Sequence, residues 1–70
     1  MPVINVKMTH EDGGASKEQK EELAKRLTQA FAEVFNRGAK SAVVVIEEVS
    51  CDNYAIGGKT ISAIRKEERA

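Results

Sequence analysis

Cysteine is almost absent: Cys51 is the only one in seventy residues, so no disulfide can close inside the chain. A lone thiol fits a reducing compartment. Histidine is as scarce, with only His10. No ligand pair stands at zinc spacing, so no metal is expected. Charge of one sign is lacking too. Eleven Lys plus Arg face eleven Asp plus Glu, whereas a nucleic-acid binder usually carries a net basic face. The aromatics are two Phe and one Tyr, and both Phe fall in a predicted helix, so no stacking platform for single strands is visible. The longest apolar run, Ala42 to Ile46, is far short of the roughly 20 residues that span a bilayer. The start, MPVINVK, has no apolar signal core. These absences argue against nucleic acid and membrane as partners, and the expected location is cytoplasmic.

What is left is a single small domain, residues 1–70. A chain of this size buries only about 60% of its unfolded surface. Such a core is usually reinforced by disulfides, metals or assembly. With the first two set aside, self-association remains.

The pattern along the chain is strand, helix, strand. Val3 to Met8 alternates, with Ile4, Val6 and Met8 on one face and Val3, Asn5 and Lys7 on the other. The glycine-containing stretch Thr9–Ser16 must be a loop. Ser16-Lys17-Glu18-Gln19 fits a capping box. Leu23, Leu27, Ala30, Phe31 and Val34 then recur at helical spacing. Glu21 with Lys25 and Glu22 with Arg26 are favourable pairs on the wet side. Arg37 suits the negative end of the helix, and Gly38 is the expected left-handed cap beyond it. SAVVVIEEV, Ser41 to Val49, is a continuously apolar second strand of the kind covered on both faces. The crossover should be right-handed and the strands parallel. One helix covers one face only, so a second copy of the chain is the economical cover for the other. Ser50 to Asn53 reads as a turn, Tyr54 to Ile61 as a small hairpin around Gly57-Gly58, and the charged tail from Arg65 as frayed. The fold class is α/β in the broad sense (α+β), a β-α-β unit plus a short C-terminal β-hairpin.

Five features could carry chemistry. Removal of Met1 would leave Pro2 as a ring-held secondary amine at the mouth of the first strand. A free α-amino group has a pKa of about 7.7–8.0, lowered in apolar surroundings, and then serves as a base near neutrality. With Met1 retained, the same nitrogen is an amide without useful basicity, and many chains begin Met-Pro to no effect. The His10–Ser16 loop could bind an anion at the helix N-terminus, but it lacks a phosphate-loop ending, and Glu11 and Asp12 would repel phosphate; an ordinary connection is the better reading. Nothing in the spacing joins Cys51 to His10, so a structural cysteine is favoured. Glu47 and Glu48 face opposite sides of a strand, which excludes a dyad and leaves a solvated strand end. Tyr54, at the root of the hairpin, either packs or walls a pocket beside another subunit's N-terminus.

Taken together, Pro2 after Met1, SKEQKEEL opening the helix, SAVVVIEEV as the second strand and NYAIGGK behind it resemble the 4-oxalocrotonate tautomerase family. The Ile-Gly-Gly segment is the most specific of these. The short chain and glycine-widened first loop look closest to its DmpI-like small-subunit branch. The resemblance implies a homo-oligomer, a hexamer built as a trimer of dimers. It also implies a cofactor-independent isomerase that acts on a small 2-oxo acid or dienol. Pro2 would be the catalytic base, and arginines of adjacent subunits would hold the substrate carboxylates. The sequence departs from the family at those arginines: Ala15 stands at the loop position and Val43 at the strand position, and the hairpin phenylalanine is Tyr54. Tyr54 and Arg65 are the expected substrate-binding residues, with Lys7, Lys40 or Lys59 as other replacement cations. The alternatives are a non-catalytic scaffold or binding module that keeps the fold, and hydratase or dehalogenase chemistry at the same proline.

Overall fold

Alternating apolar residues, a capped amphipathic helix and a valine run assemble in the order their periodicities dictate. The computed structural model describes residues 2–38 and 40–69. Strand β1 (Val3–Thr9), helix α1 (Lys17–Phe35) and strand β2 (Val43–Val49) form the β-α-β unit. The strands run parallel, in register from Val3 beside Val43 to Thr9 beside Val49. Backbone bonds extend the ladder at both ends, from Val43 N–H to the Pro2 carbonyl (2.9 Å) and from His10 N–H to the Val49 carbonyl (2.8 Å). Ile4, Val6, Met8, Val44 and Ile46 are half-buried on the sheet's inner face. Val3, Val43 and Val45 stand exposed on the outer one.

Helix α1 opens as its sequence requires. Ser16 Oγ accepts from Gln19 N–H, and the Gln19 side chain returns the bond to Ser16 N–H. Leu23, Leu27 and Phe31 are half-buried, whereas Ala30 and Val34, expected in the same stripe, are exposed. Length explains this. Nineteen helical residues reach about 28 Å, while seven strand residues reach about 23 Å, so the last turn overhangs the sheet. The helix is capped two residues earlier than expected. Asn36, not Gly38, takes the left-handed cap, with φ 51°, a conformation asparagine tolerates. Of the two expected helix pairs, Glu22 with Arg26 forms, at 2.8 Å.

Beyond β2, Ser50 caps a 3₁₀ turn at Cys51–Asn53, its Oγ accepting from Asp52 N–H. Two short strands follow, β3 (Ala55–Ile56) and β4 (Lys59–Thr60), paired antiparallel around Gly57 and Gly58, both at positive φ. The tail corrects the expectation of fraying: Ile61–Arg69 is a second helix, α2. Thr60 Oγ1 caps it by accepting from Ala63 N–H at 3.2 Å. Ile61, 5% exposed, is the one buried hydrophobic residue among those described.

Candidate active site

The β-α-β unit has two ends, and the expected site residues divide between them. At the first end, the half-buried Pro2 enters β1 with its carbonyl held by Val43. It lines a concavity of about 360 Å³ with Phe31, Arg37, Gly38 and Ser41. Parallel strands explain this company. A helix that connects them must deliver its C-terminus, and the residues after it, to the end where both strands begin. Met1, whose removal would free the Pro2 amine, lies outside the described residues.

Arg37 is the cation that sequence reading missed at this end. It follows the left-handed Asn36, and its N–H closes the helix on the Ala32 carbonyl at 3.2 Å. Its guanidinium carbon lies 5.7 Å from the ring centres of both Phe31 and Phe35, within cation–π range. The topology that places it was legible, since any residue in the helix-to-strand connection of a parallel unit returns beside the first strand's start.

The opposite end gathers the remaining expected residues. Tyr54 is exposed, and its carbonyl accepts from Ile61 N–H at 2.8 Å. Arg65, on α2, donates through Nε to Glu11 at 2.7 Å and through Nη1 to Glu68 at 3.2 Å. The Glu11 partner raises the guanidinium pKa, and Arg65 in turn holds the Glu11 carboxyl below its usual value. Within one chain, β1 separates Pro2 from Arg65 and Tyr54 by its length, about 23 Å. Lys59 pairs with Glu67. Lys7 faces outward opposite Glu47, and Lys40 is exposed.

Glu48 corrects the expectation of a solvated strand end. Its side chain is 13% exposed, and Oε1 accepts from Ala15 N–H at 2.7 Å. His10 Nδ1 meets Oε2 at 2.9 Å, and Lys20 stands 3.6 Å from Oε1. The Ala15 amide, then His10, hold this carboxyl below its usual pKa. Ala15 thus gives its backbone donor to the protein itself. Cys51 and His10, which no spacing joined, do come together: the thiol lies 3.8 Å from the His10 carbonyl. Among the described residues, no cluster of ligands suits a metal ion.

Comparisons with known proteins agree with this architecture. Residues 2–64 match the family model described as tautomerase enzyme. A probable tautomerase of Helicobacter pylori is 39% identical over 66 residues, covering 94% of this chain and 97% of that protein. Among solved structures, DmpI from Helicobacter pylori superposes with a TM-score of 0.86 at 37% identity, covering 93% of this chain and 97% of that one. A heterohexamer 4-oxalocrotonate tautomerase from Chloroflexus aurantiacus gives 0.78 at 31% identity, covering 93% and 100%. The residues matched take in both strands, the helix, the glycine hairpin and Pro2 itself, and this chain belongs to the tautomerase enzyme family, as an isomerase of that type.

Proposed function

We propose that this isomerase interconverts the enol and keto forms of a small unsaturated or aryl 2-oxo acid, with the Pro2 amine, freed by loss of Met1, as its base. The observation that carries the reading is the seat of Pro2: half-buried, fixed by its own carbonyl, and opening on a concavity with the Phe31 ring. The positive charge of Arg37 and the Phe31 ring in the same concavity disfavour the ammonium form, so the amine stays neutral and able to accept a proton. It takes the proton of the enol hydroxyl. The oxygen's electron pair re-forms the carbonyl, and the carbon–carbon π pair takes up the same proton at the far carbon. One proton changes place and two electron pairs shift within a single molecule, so the reaction balances without a cofactor.

The working protein is a cytoplasmic homo-oligomer of single-domain subunits, a hexamer assembled as a trimer of dimers. Pairing two sheets edge to edge across a two-fold axis sets one subunit's Pro2 beside its partner's opposite end. Tyr54 from that partner then walls the pocket. Arg65 of that partner, still held by Glu11, offers its remaining N–H donors to the substrate's oxo oxygen. The Chloroflexus relative is itself a heterohexamer, which supports an assembly of this order.

The test is Pro2→Ala in a chain whose mass shows Met1 removed. General-base catalysis contributes roughly 10²–10⁴-fold. Ketonisation of phenylenolpyruvate above the buffer rate should therefore fall by at least about a hundredfold, with sedimentation unchanged. An unaltered rate would take Pro2 out of the mechanism.

A further inference from the structure

The family's two arginines are replaced by Ala15 and Val43, yet a 2-oxo acid brings a carboxylate that some cation must meet. We infer that Arg37 is that cation, holding the substrate carboxylate at the Pro2 end of the same chain; this rests on the reading of Pro2 as the base.

Four observations converge on it. Arg37 lines the same concavity as Pro2, with Phe31 and the exposed Ser41. The other arginines are accounted for elsewhere: Arg26 pairs with Glu22, and Arg65 with Glu11 and Glu68, while Arg69 lines a separate concavity with His10 and Glu11. Among the described residues, Arg37 forms no ion pair with a carboxylate. Its guanidinium is also held in place, 5.7 Å from two ring centres that are themselves 4.6 Å apart. These cation–π contacts take up no carboxylate, and the forked N–H donors of a guanidinium can pair one in bidentate fashion.

Electrostatics gives the position a further reason. The C-terminus of a helix carries about half a negative charge, and α1 ends at Phe35, against this concavity. Without a cation there, a substrate anion beside Pro2 would be repelled. The Asn36 cap and the bond from Arg37 N–H to the Ala32 carbonyl place the guanidinium at that point.

Phenylglyoxylate is the probe, because this aryl 2-oxo acid has no hydrogen beside its ketone and cannot enolise. Its binding to the assembled, Met1-free protein is measured by titration calorimetry. A charge-assisted pair of this kind is worth about tenfold or more in affinity. Arg37→Gln should weaken binding by at least that factor, and Arg37→Lys, which keeps the charge but not the fork, by less. The methyl ester should bind the unaltered protein as weakly as the acid binds Arg37→Gln. The ester arm needs no variant, so it reads even if a substitution disturbs assembly. Equal affinity of acid and ester, undiminished binding by Arg37→Gln, or no saturable binding by the unaltered protein overturns the assignment. Pro2→Ala separates the two readings: full turnover there removes the base and leaves the carboxylate site standing on its own binding data.

Discussion

At the residue scale, the loop between β1 and α1 shows what spacing conveys and what it conceals. Two glycines after His10-Glu11-Asp12 announce a loop, and both adopt positive φ, 85° at Gly13 and 76° at Gly14. Their neighbours distinguish them. A Cβ on Gly13 would meet open space, whereas one on Gly14 would sit 2.6 Å from His10 Cε1 and 2.8 Å from Glu48 Oε2. Gly14→Ala therefore has to displace the carboxylate that accepts from Ala15 N–H, in addition to straining φ. We expect it to destabilise the protein by about 1–3 kcal/mol, and Gly13→Ala by less, in paired denaturant titrations. Equal losses would show that φ alone sets the cost. Glu48 was hidden for a related reason: strand alternation puts it on the inner face, but only the folded loop reveals that an amide and His10 wait there. Arg37 was missed because its position was judged against the helix dipole alone, and not against the strand start that a parallel crossover brings alongside.

At the element scale, legibility follows the strength of local signals. The capping box at Ser16, the long amphipathic helix and the β-branched second strand each carry several concordant cues, and each forms, although β2 begins at Val43 rather than Ser41 and α1 is capped at Asn36 rather than Gly38. Ser16→Ala removes the acceptor for Gln19 N–H and should cost about 1 kcal/mol, read as a lower melting temperature with a native-like spectrum. An unchanged melting temperature would mean that packing, not the cap, sets where α1 begins. Helix α2 was lost among weaker cues. It is nine residues long, begins directly after a two-residue strand, and ends in charges that suggest solvent. Its signal was nonetheless present. Thr60 stands three residues before Ala63, whose N–H it accepts, Ile61 and Ile64 lie three apart, and Arg65 reaches Glu68 across one turn. A charged run forms a stable helix here because its first turn is anchored by Ile61 and its flank by Glu11.

At the scale of the whole molecule, one subunit is visibly a part. Its accessible surface is 5517 Å², about 1,200 Å² above the roughly 4,300 Å² expected of a compact monomer of this mass. Its radius of gyration is 15.6 Å, against about 11 Å for a free-standing domain of this length. The difference exceeds the roughly 800 Å² that a standard interface takes from each partner. Self-association, argued from a short chain without staples and from a valine run with only one covered face, has its physical counterpart here. Val3 is 60% exposed, and Val43 and Val45 share that outer face. Val45→Asp is the informative substitution. In the isolated chain the carboxylate would stand in water at little cost, but in an assembly that buries this face it becomes an unpaired charge, at about 3–5 kcal/mol. The variant should sediment as a smaller species and lose its cooperative melt. The unaltered protein should melt higher as its concentration rises, because assembly stabilises by mass action. If Val45→Asp instead sediments and melts like the parent, the outer face points to solvent in the assembled particle. The assembly would then have to rest on strand-edge pairing alone.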